Sequence, residues 1–527
     1  MNRKAKITAV VILVTIGLHA SAGRIYAQTP NVVIQWNRLA QAQYGPGASP
    51  IQRTLAILHI AMFDAINSIQ HVYTPYRLDV QASAGASAEA AAAQAAHDVL
   101  STLFPAQQAT YDAALAAQLN GIPPGLATQG VKIGQLAAAA ILKWRENDGW
   151  PAAITPDPTY VLPPFPGLWQ PTPPANSFAT FTFYPRVVPF ALVTSTQFLP
   201  DPPPTLISPQ YATDFNETKR VGSVLSEGTG DRTPEQTLKS QVFAGVNTAI
   251  GFQHVWNIVA GTIAQRQGLS LIDTARVFAL LNVSHHDGLQ TSFTSKFTYG
   301  LWRPVTAIRR AAEDLNAGTD PDSTWTPLLT TPPYPSYAGN ASCLGASGAR
   351  ALQLGFGRDD LPFSVTFPRT GGVADVTWSF TGFDDLAVQQ ARSRIYGGIH
   401  FQFDSNASRS ACPKVAEWAS AHYMVPTGGG TTPPLTTTAV ANPKNATVTQ
   451  RQYQLDGSAS TSADGKLLIY SWTMTPGSPA AAINGANTPT PSVQFGSGSN
   501  TYSFTLTVTD STGKTSTDTA TINYIGH

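Results

Sequence analysis

Charge is scarce in this chain. Acidic and basic residues make up 12% of the 527 residues, about half the usual quarter. The 32 Lys and Arg against 31 Asp and Glu leave a net charge of +1, and no basic tract occurs. An electrostatic nucleic-acid surface and a strongly charged partner are therefore not expected. Cysteine is scarcer still. Cys343 and Cys412 are too few and too far apart for a thiolate zinc cluster, and no C-x-x-C-H haem attachment is present. The N-terminal apolar run is too short to span a bilayer comfortably and no later run qualifies, so no membrane span is expected. A G-x-S-x-G nucleophile elbow is also missing, since "GASGA" around Ser347 lacks the second spacing. Hydrophobic residues, by contrast, reach 43%, which favours a well-buried globular body.

The N-terminus has the pattern of an export signal. Lys4 and Lys6 precede "ITAVVILVTIGL" and the small-residue stretch "HASAG", with cleavage expected after Ala22 or Ala27. Residues 1–27 are thus expected to be a signal peptide, and the mature chain to be secreted or periplasmic. In an oxidising compartment Cys343 and Cys412 could pair, although spacing alone does not establish the geometry.

Residues 28–425 are expected to form a mainly α body. Helical stretches include "GASPIQRTLAILHIAMFDAINSI", "SAEAAAAQAAHDVLSTLF", "LATQGVKIGQLAAAAILKWREN", "AGTIAQRQGLSLIDTARVFALLNV" and "DLAVQQARSRIY". Proline-dense connections such as "PDPTYVLPPFPGLWQPTPP" separate them. Composition then changes. "PTGGGTTPPLTTT", residues 426–438, is expected to be a linker. Residues 439–527 alternate β-branched and aromatic positions between turn signals such as "SADGK" and "DSTGK", the pattern of a small β-sandwich. The stretches "LDGSAS", "YSWTM" and "YSFTLTVTDSTGKTSTDTATI" resemble the polycystic-kidney-disease (PKD) type of immunoglobulin-like domain. That resemblance implies a spacer or a contact with a surface or polysaccharide.

The body contains one anomaly. "SKFTYGLWRPVTAIRR" places Lys296 and Arg303 seven apart among aromatic residues. On a helix they would project from nearly one face, roughly 10 Å apart along the axis. Two like charges there are costly to bury without an anion. Either both cations reach solvent or carboxylates, or they converge on an oxyanion, with arginine as a planar fork and lysine as a point charge. Farther on, "SRIYGGIHF" sets Arg394 six residues before His400, with Gly397 and Gly398 between to turn the chain back. Between them, "TPPYPSYAGNASCLGASGARAL" is a proline-and-glycine turn feeding a helix from about Asn340.

Lys-x6-Arg-Pro, a Pro-Ser-x-Gly-His-like turn and Ser-Arg-x5-His, in that order, resemble the three-part signature of the vanadium-dependent haloperoxidases and type 2 phosphatidic acid phosphatases. The flanks "VVIQWNRL", "LAILHIAMFDAIN" and "WRPVTAIR" are similar to the secreted bacterial haloperoxidase-like branch. The resemblance implies a helical bundle of the haloperoxidase/acid phosphatase type. It implies that Lys296, Arg303 and Arg394 bind the oxygens of vanadate or phosphate, with Ser336 and Gly339 in the adjoining turn. His400 would be the apical ligand to vanadium, or the nucleophile of a phosphatase. Hydrogen peroxide, halide and a small organic molecule would be the substrates.

The middle motif departs from the pattern. Without a gap, the family serine falls on Gly339 and the histidine on Ala341; with one deletion, Asn340 replaces the histidine. Either way the acid–base histidine is missing, and Asn340 can hold an oxyanion but cannot shuttle a proton near neutrality. His285 and His286, in "NVSHHDGL", are candidates for a substitute proton carrier, with structural roles as the alternative. His59 and His254 are expected to be structural.

Overall fold

The computed structural model describes residues 31–46, 51–82, 85–427, 437–457, 460, 468–510 and 514–526. The expected signal peptide and most of the expected linker, 428–436, lie outside the described residues.

The helical body is arranged around one long helix, Leu271–Tyr299. Every residue from Thr274 to Lys296 is buried, so this helix has no solvent face and acts as the axis of the core. The helices Ile51–Gln70 and Asn340–Phe356 pack along it, and Pro413–His422 also lies against it. The Ala-rich helices Ala88–Leu103 and Pro124–Arg145 form the next layer. Gly130 and Gly134 let these two helices approach until a Cβ at either glycine would overlap the carbonyl of Ser87 or Ala91.

Two features differ from the sequence expectation. The stretch expected as one helix across residues 260–283 is broken. Gly268, at φ 63°, ends Val255–Gln267, and the Ser270 hydroxyl accepts from the Asp273 N–H to start the long helix. The body is also not purely helical. Phe363–Phe367 and Val376–Phe380 form an antiparallel hairpin with Val365 opposite Trp378. Phe363, Val365 and Phe367 face inward while Ser364 and Thr366 face out, a period-two pattern that could have been recognised.

The C-terminal unit is the expected β-sandwich. One sheet orders its strands as Asn445–Val448, Thr515–Tyr524, Asn500–Thr509 and Ile469–Met474; the first pair is parallel and the others antiparallel. The second sheet places Ser492–Gln494 between Gln452–Gln454 and Ala482–Asn484. Trp472, Phe504, Leu506 and Ile522 close the core against Val493 and Phe495. The short strand Ala482–Asn484 was not anticipated from the sequence.

Cys343 and Cys412 form a disulfide, with their Cα atoms 5.4 Å apart across 69 residues of sequence. It joins the first turn of Asn340–Phe356 to the residue between Gln402–Ala411 and Pro413–His422. A crosslink over a loop of this length stabilises by about 2–4 kcal/mol. Replacing both cysteines by serine should lower the urea midpoint by a corresponding amount. An unchanged midpoint would refute a stabilising role.

Candidate functional site

Lys296 lies in the last turn of the long helix, and Gly300, at φ 60°, terminates that helix. Arg303 therefore does not share a helix with Lys296, contrary to the simplest reading of their spacing. It is the extended N-cap (φ −86°, ψ 156°) of the short helix Pro304–Arg309, because the proline ring disfavours the α conformation in the residue before it. The turn at Gly300 nevertheless brings both cations to the segment Tyr334–Ser336. Lys296 Nζ donates to the carbonyls of Pro335 at 3.1 Å and Ser336 at 2.5 Å. Arg303 Nε donates to the Tyr334 carbonyl at 2.7 Å, and Nη1 donates to that of Ile399 at 2.9 Å. Both side chains are fully buried.

Arg394 is in the last turn of Phe383–Tyr396. Gly397 and Gly398 reverse the chain as expected. Gly398 sits at φ 71° against Gly222, where any Cβ would collide with the Gly222 carbonyl. The reversal places His400 against Arg303, with Nη1 and Nε2 3.2 Å apart. The segments carrying Lys296 and Arg303 and those carrying Arg394 and His400 thus meet in one buried region.

Asp404 completes the cluster and was not anticipated. It lies four residues after His400, in the first turn of Gln402–Ala411. Its Oδ2 accepts from His400 Nδ1 at 2.7 Å, from the Ser336 hydroxyl at 2.5 Å and from the Phe401 N–H at 3.2 Å. A proton on Nδ1, facing the carboxylate, leaves Nε2 with its lone pair towards Arg303. The signal for Asp404 was its i, i+4 spacing from His400.

The glycine turn supplies the floor. Gly339 is the N-cap of Asn340–Phe356, and its N–H donates to the Asp404 carbonyl at 3.1 Å. Asn340 Oδ1 accepts from the Ser292 hydroxyl at 2.7 Å. Asn340 lines a crevice together with Tyr334, whereas Ala341 is buried in the core. Of the two residues the middle motif offers, Asn340 presents its side chain to this crevice and Ala341 does not.

The electrostatics are lopsided. Burial holds the Lys296 ammonium well below its ordinary pKa, with repulsion from Arg303 adding to the effect. Burial also lowers Arg303 and Arg394 to about 10. His400 is held well below its usual value by burial and then by the three neighbouring cations, which keeps the imidazole neutral. Burial raises Asp404 to about 6. Arg303 Nη2 and Arg394 Nη1 are buried without a hydrogen-bond partner, a costly condition for guanidinium donors.

His285 and His286 are elsewhere, farther up the long helix. His286 Nδ1 lies 3.0 Å from Asp287 Oδ1, and the Asp287 carboxylate accepts the N–H groups of Phe190, Ala191 and Leu192 at 2.6–3.0 Å. His285 packs against Trp256 and Gly348, and burial lowers its pKa to about 3. Both belong to the core. His59, bonded to Asn37, and His254, bonded to the Tyr44 carbonyl, are also buried packing residues.

Comparison with known proteins agrees with this architecture. Residues 276–429 match the family model of the VCPO second helical-bundle domain, and residues 442–523 match that of a PKD domain. The protein therefore has a helical vanadium haloperoxidase-like fold followed by a PKD domain, as the motif resemblance implied. Among solved structures, a bacterial vanadium-dependent iodoperoxidase superposes with a TM-score of 0.61 at 21% identity, over 75% of this chain and 97% of that one. The holo form of a bacterial vanadium-dependent chloroperoxidase gives 0.58 at 16% identity, over 75% and 98%. The vanadium chloroperoxidase of Curvularia inaequalis is 22% identical over 310 residues, 48% of this chain. This chain spans about half the length of that curated relative.

The Asp404 contact predicts the His400 tautomer. Nitrogen-15 spectra of the labelled protein should show the Nδ1–H form, and Asp404→Asn should shift the ring towards a tautomer mixture. A wild-type ring protonated on Nε2 would refute this assignment.

Proposed function

We propose that the helical body holds vanadate among Lys296, Arg303, Arg394 and His400 and oxidises halide with hydrogen peroxide. The observation supporting this reading is the pair of partnerless buried donors, Arg303 Nη2 and Arg394 Nη1. Among the described residues, Asp404 acts on Lys296 and Arg303 and no carboxylate acts on Arg394, so a tetrahedral oxyanion would supply both acceptors and countercharge. Lys296, Arg303 and Arg394 would hold its oxygens, with Ser336 and Gly339 shaping the adjoining turn. His400, oriented by Asp404, would be a ligand through Nε2 once the Arg303 guanidinium that faces that atom turned to the oxyanion. Bound vanadate would supply a Lewis-acid centre that activates peroxide towards halide. Phosphate shares the tetrahedral geometry and would occupy the same place. With phosphate esters as substrate, the same Nε2 lone pair would be a nucleophile, giving an acid phosphatase.

Asn340 limits the proton chemistry. Its amide donates and accepts hydrogen bonds but carries no proton between reactants near neutrality. Asn340→His should therefore raise halide oxidation on the order of 10²-fold. The N-terminal pattern and the Cys343–Cys412 bond support work outside the cytoplasm, with the PKD domain as spacer or surface contact.

Two measurements test the reading. At 100 times its dissociation constant, vanadate or phosphate should stabilise the protein by about 2.7 kcal/mol, and Arg394→Ala should abolish most of that gain. Bromide oxidation and aryl-phosphate hydrolysis, each measured with and without vanadate, separate the activities. Oxidation no higher than in His400→Ala defeats the peroxidase reading. Oxyanion binding without either activity would leave a binding protein.

A further inference from the structure

Two helix faces enclose a space that the oxyanion site does not use. Positions 34, 37, 38 and 41 lie on one face of Val32–Gln41, and positions 254, 257, 258 and 261 lie on one face of Val255–Gln267 and its N-cap. Both sets have the spacing of a core stripe, yet together they line a pocket of about 360 Å³. A benzene-sized guest takes a cavity of about 150 Å³, and ligand pockets start near about 300 Å³. This pocket is distinct from the crevice beside the cation cluster. Phe252 and Gln253 line the crevice, whereas Ala249, Ile250 and His254 line the pocket, and the two share no lining residue.

Polar groups at these core positions lack partners. His254 is 2% exposed. Its Nε2 lies 3.3 Å from the Tyr44 carbonyl, which can only accept, so the proton sits on Nε2 and Nδ1 keeps a lone pair. Packing therefore accounts for one ring nitrogen alone. Nδ1 is buried with no donor among the described residues, and burial lowers the pKa of the ring, which keeps it neutral. Asn37 Oδ1 is engaged by His59, which leaves the Asn37 NH2 to donate. At the mouth, Arg38 is exposed and its side chain has no ion pair or hydrogen bond among the described residues. No Asp or Glu lines the pocket.

We propose that this pocket binds a small organic carboxylate bearing a hydroxyl or N–H group at its far end, with the carboxylate at Arg38 and the donor on His254 Nδ1. The lining selects that class. A cationic guest would meet Arg38 and no carboxylate, so an anion is favoured. An inorganic oxyanion would satisfy Arg38 but would turn lone pairs towards Nδ1. It would also leave the apolar walls of Ile34, Ile250 and Ile258 without packing. A hydroxyaryl acid supplies the charge, the donor and a ring to fill the space between them. Binding here does not depend on the oxyanion site.

Calorimetry and co-crystallisation of the full-length protein with 4-hydroxybenzoate provide the test. Density should place the hydroxyl within hydrogen-bonding distance of His254 Nδ1 and the carboxylate beside Arg38. 4-Methylbenzoate, which keeps the shape without the donor, should bind about tenfold more weakly, the factor for leaving a buried acceptor unpaired. Arg38→Ala should weaken the acid about fivefold, as an exposed ion pair allows, and should leave the affinity for uncharged 4-hydroxybenzamide unchanged. Thr262→Trp, at the exposed rim, should block both ligands. Both substituted positions are exposed, so both variants should melt with the wild type. Saturating phosphate should leave the dissociation constant of the acid unchanged. No binding to the wild type, density outside the pocket, or affinity that survives both variants would overturn the proposal. Competition with phosphate would also overturn it, by moving the acid to the cation cluster.

Discussion

Lys296, Arg303 and Arg394 are withdrawn from solvent around the neutral imidazole of His400, with Asp404 as the nearby carboxylate. Desolvating three cations against one anion is unfavourable without further compensation. The surrounding structure supplies part of it through carbonyls. Pro335 and Ser336 accept from the lysine, and Tyr334 and Ile399 accept from Arg303. These carbonyls belong to loops rather than helices, which explains why Pro-rich and Gly-rich connections converge here. A backbone carbonyl inside a helix is already engaged, whereas one in an ordered loop is free to accept.

That demand for carbonyls links the fold to the site. The buried long helix delivers Lys296 at its end, and Gly300 releases the chain to present Arg303 from an extended residue. Gly398, packed on Gly222, turns His400 back towards Arg303. The disulfide then ties the helix that begins at Asn340 to the segment following Asp404. Asp404 serves twice, orienting the imidazole through its side chain and receiving the Gly339 N–H on its main-chain carbonyl.

The single buried carboxylate also gives the cluster a pH response of definite sign. The folded-state value of Asp404, about 6, is above its ordinary 3.8. Its charged form is therefore less favourable in the folded state, and this group's contribution to stability declines as pH rises from about 4 to 6. Lys296 and His400 are shifted downward, so protonating either one destabilises the fold as pH falls. A bound anion would relieve the downward shifts of Lys296 and His400, whereas the rise of Asp404 comes from burial and an anion nearby would add to it.

Much of this protein was determined locally. Alanine-rich periodicity defined helices, β-branched alternation defined the sandwich, and Lys296, Arg303, Arg394 and His400 stood out because cations are rare in so apolar a chain. The break at Gly268 and the hairpin at Phe363–Phe380 were equally local signals, hidden by longer helical patterns on either side. The i, i+4 spacing of His400 and Asp404 was also a local signal, but tertiary structure alone decided that Ser336 joins that pair and that Asn340 rather than Ala341 faces the crevice. It also decided that His285 and His286 belong to the core and that Cys343 meets Cys412. The reason is physical: helix and strand periodicity are set by neighbours within a few residues. Whether a polar atom is buried, paired or left without a partner depends on chain segments that may be hundreds of positions away.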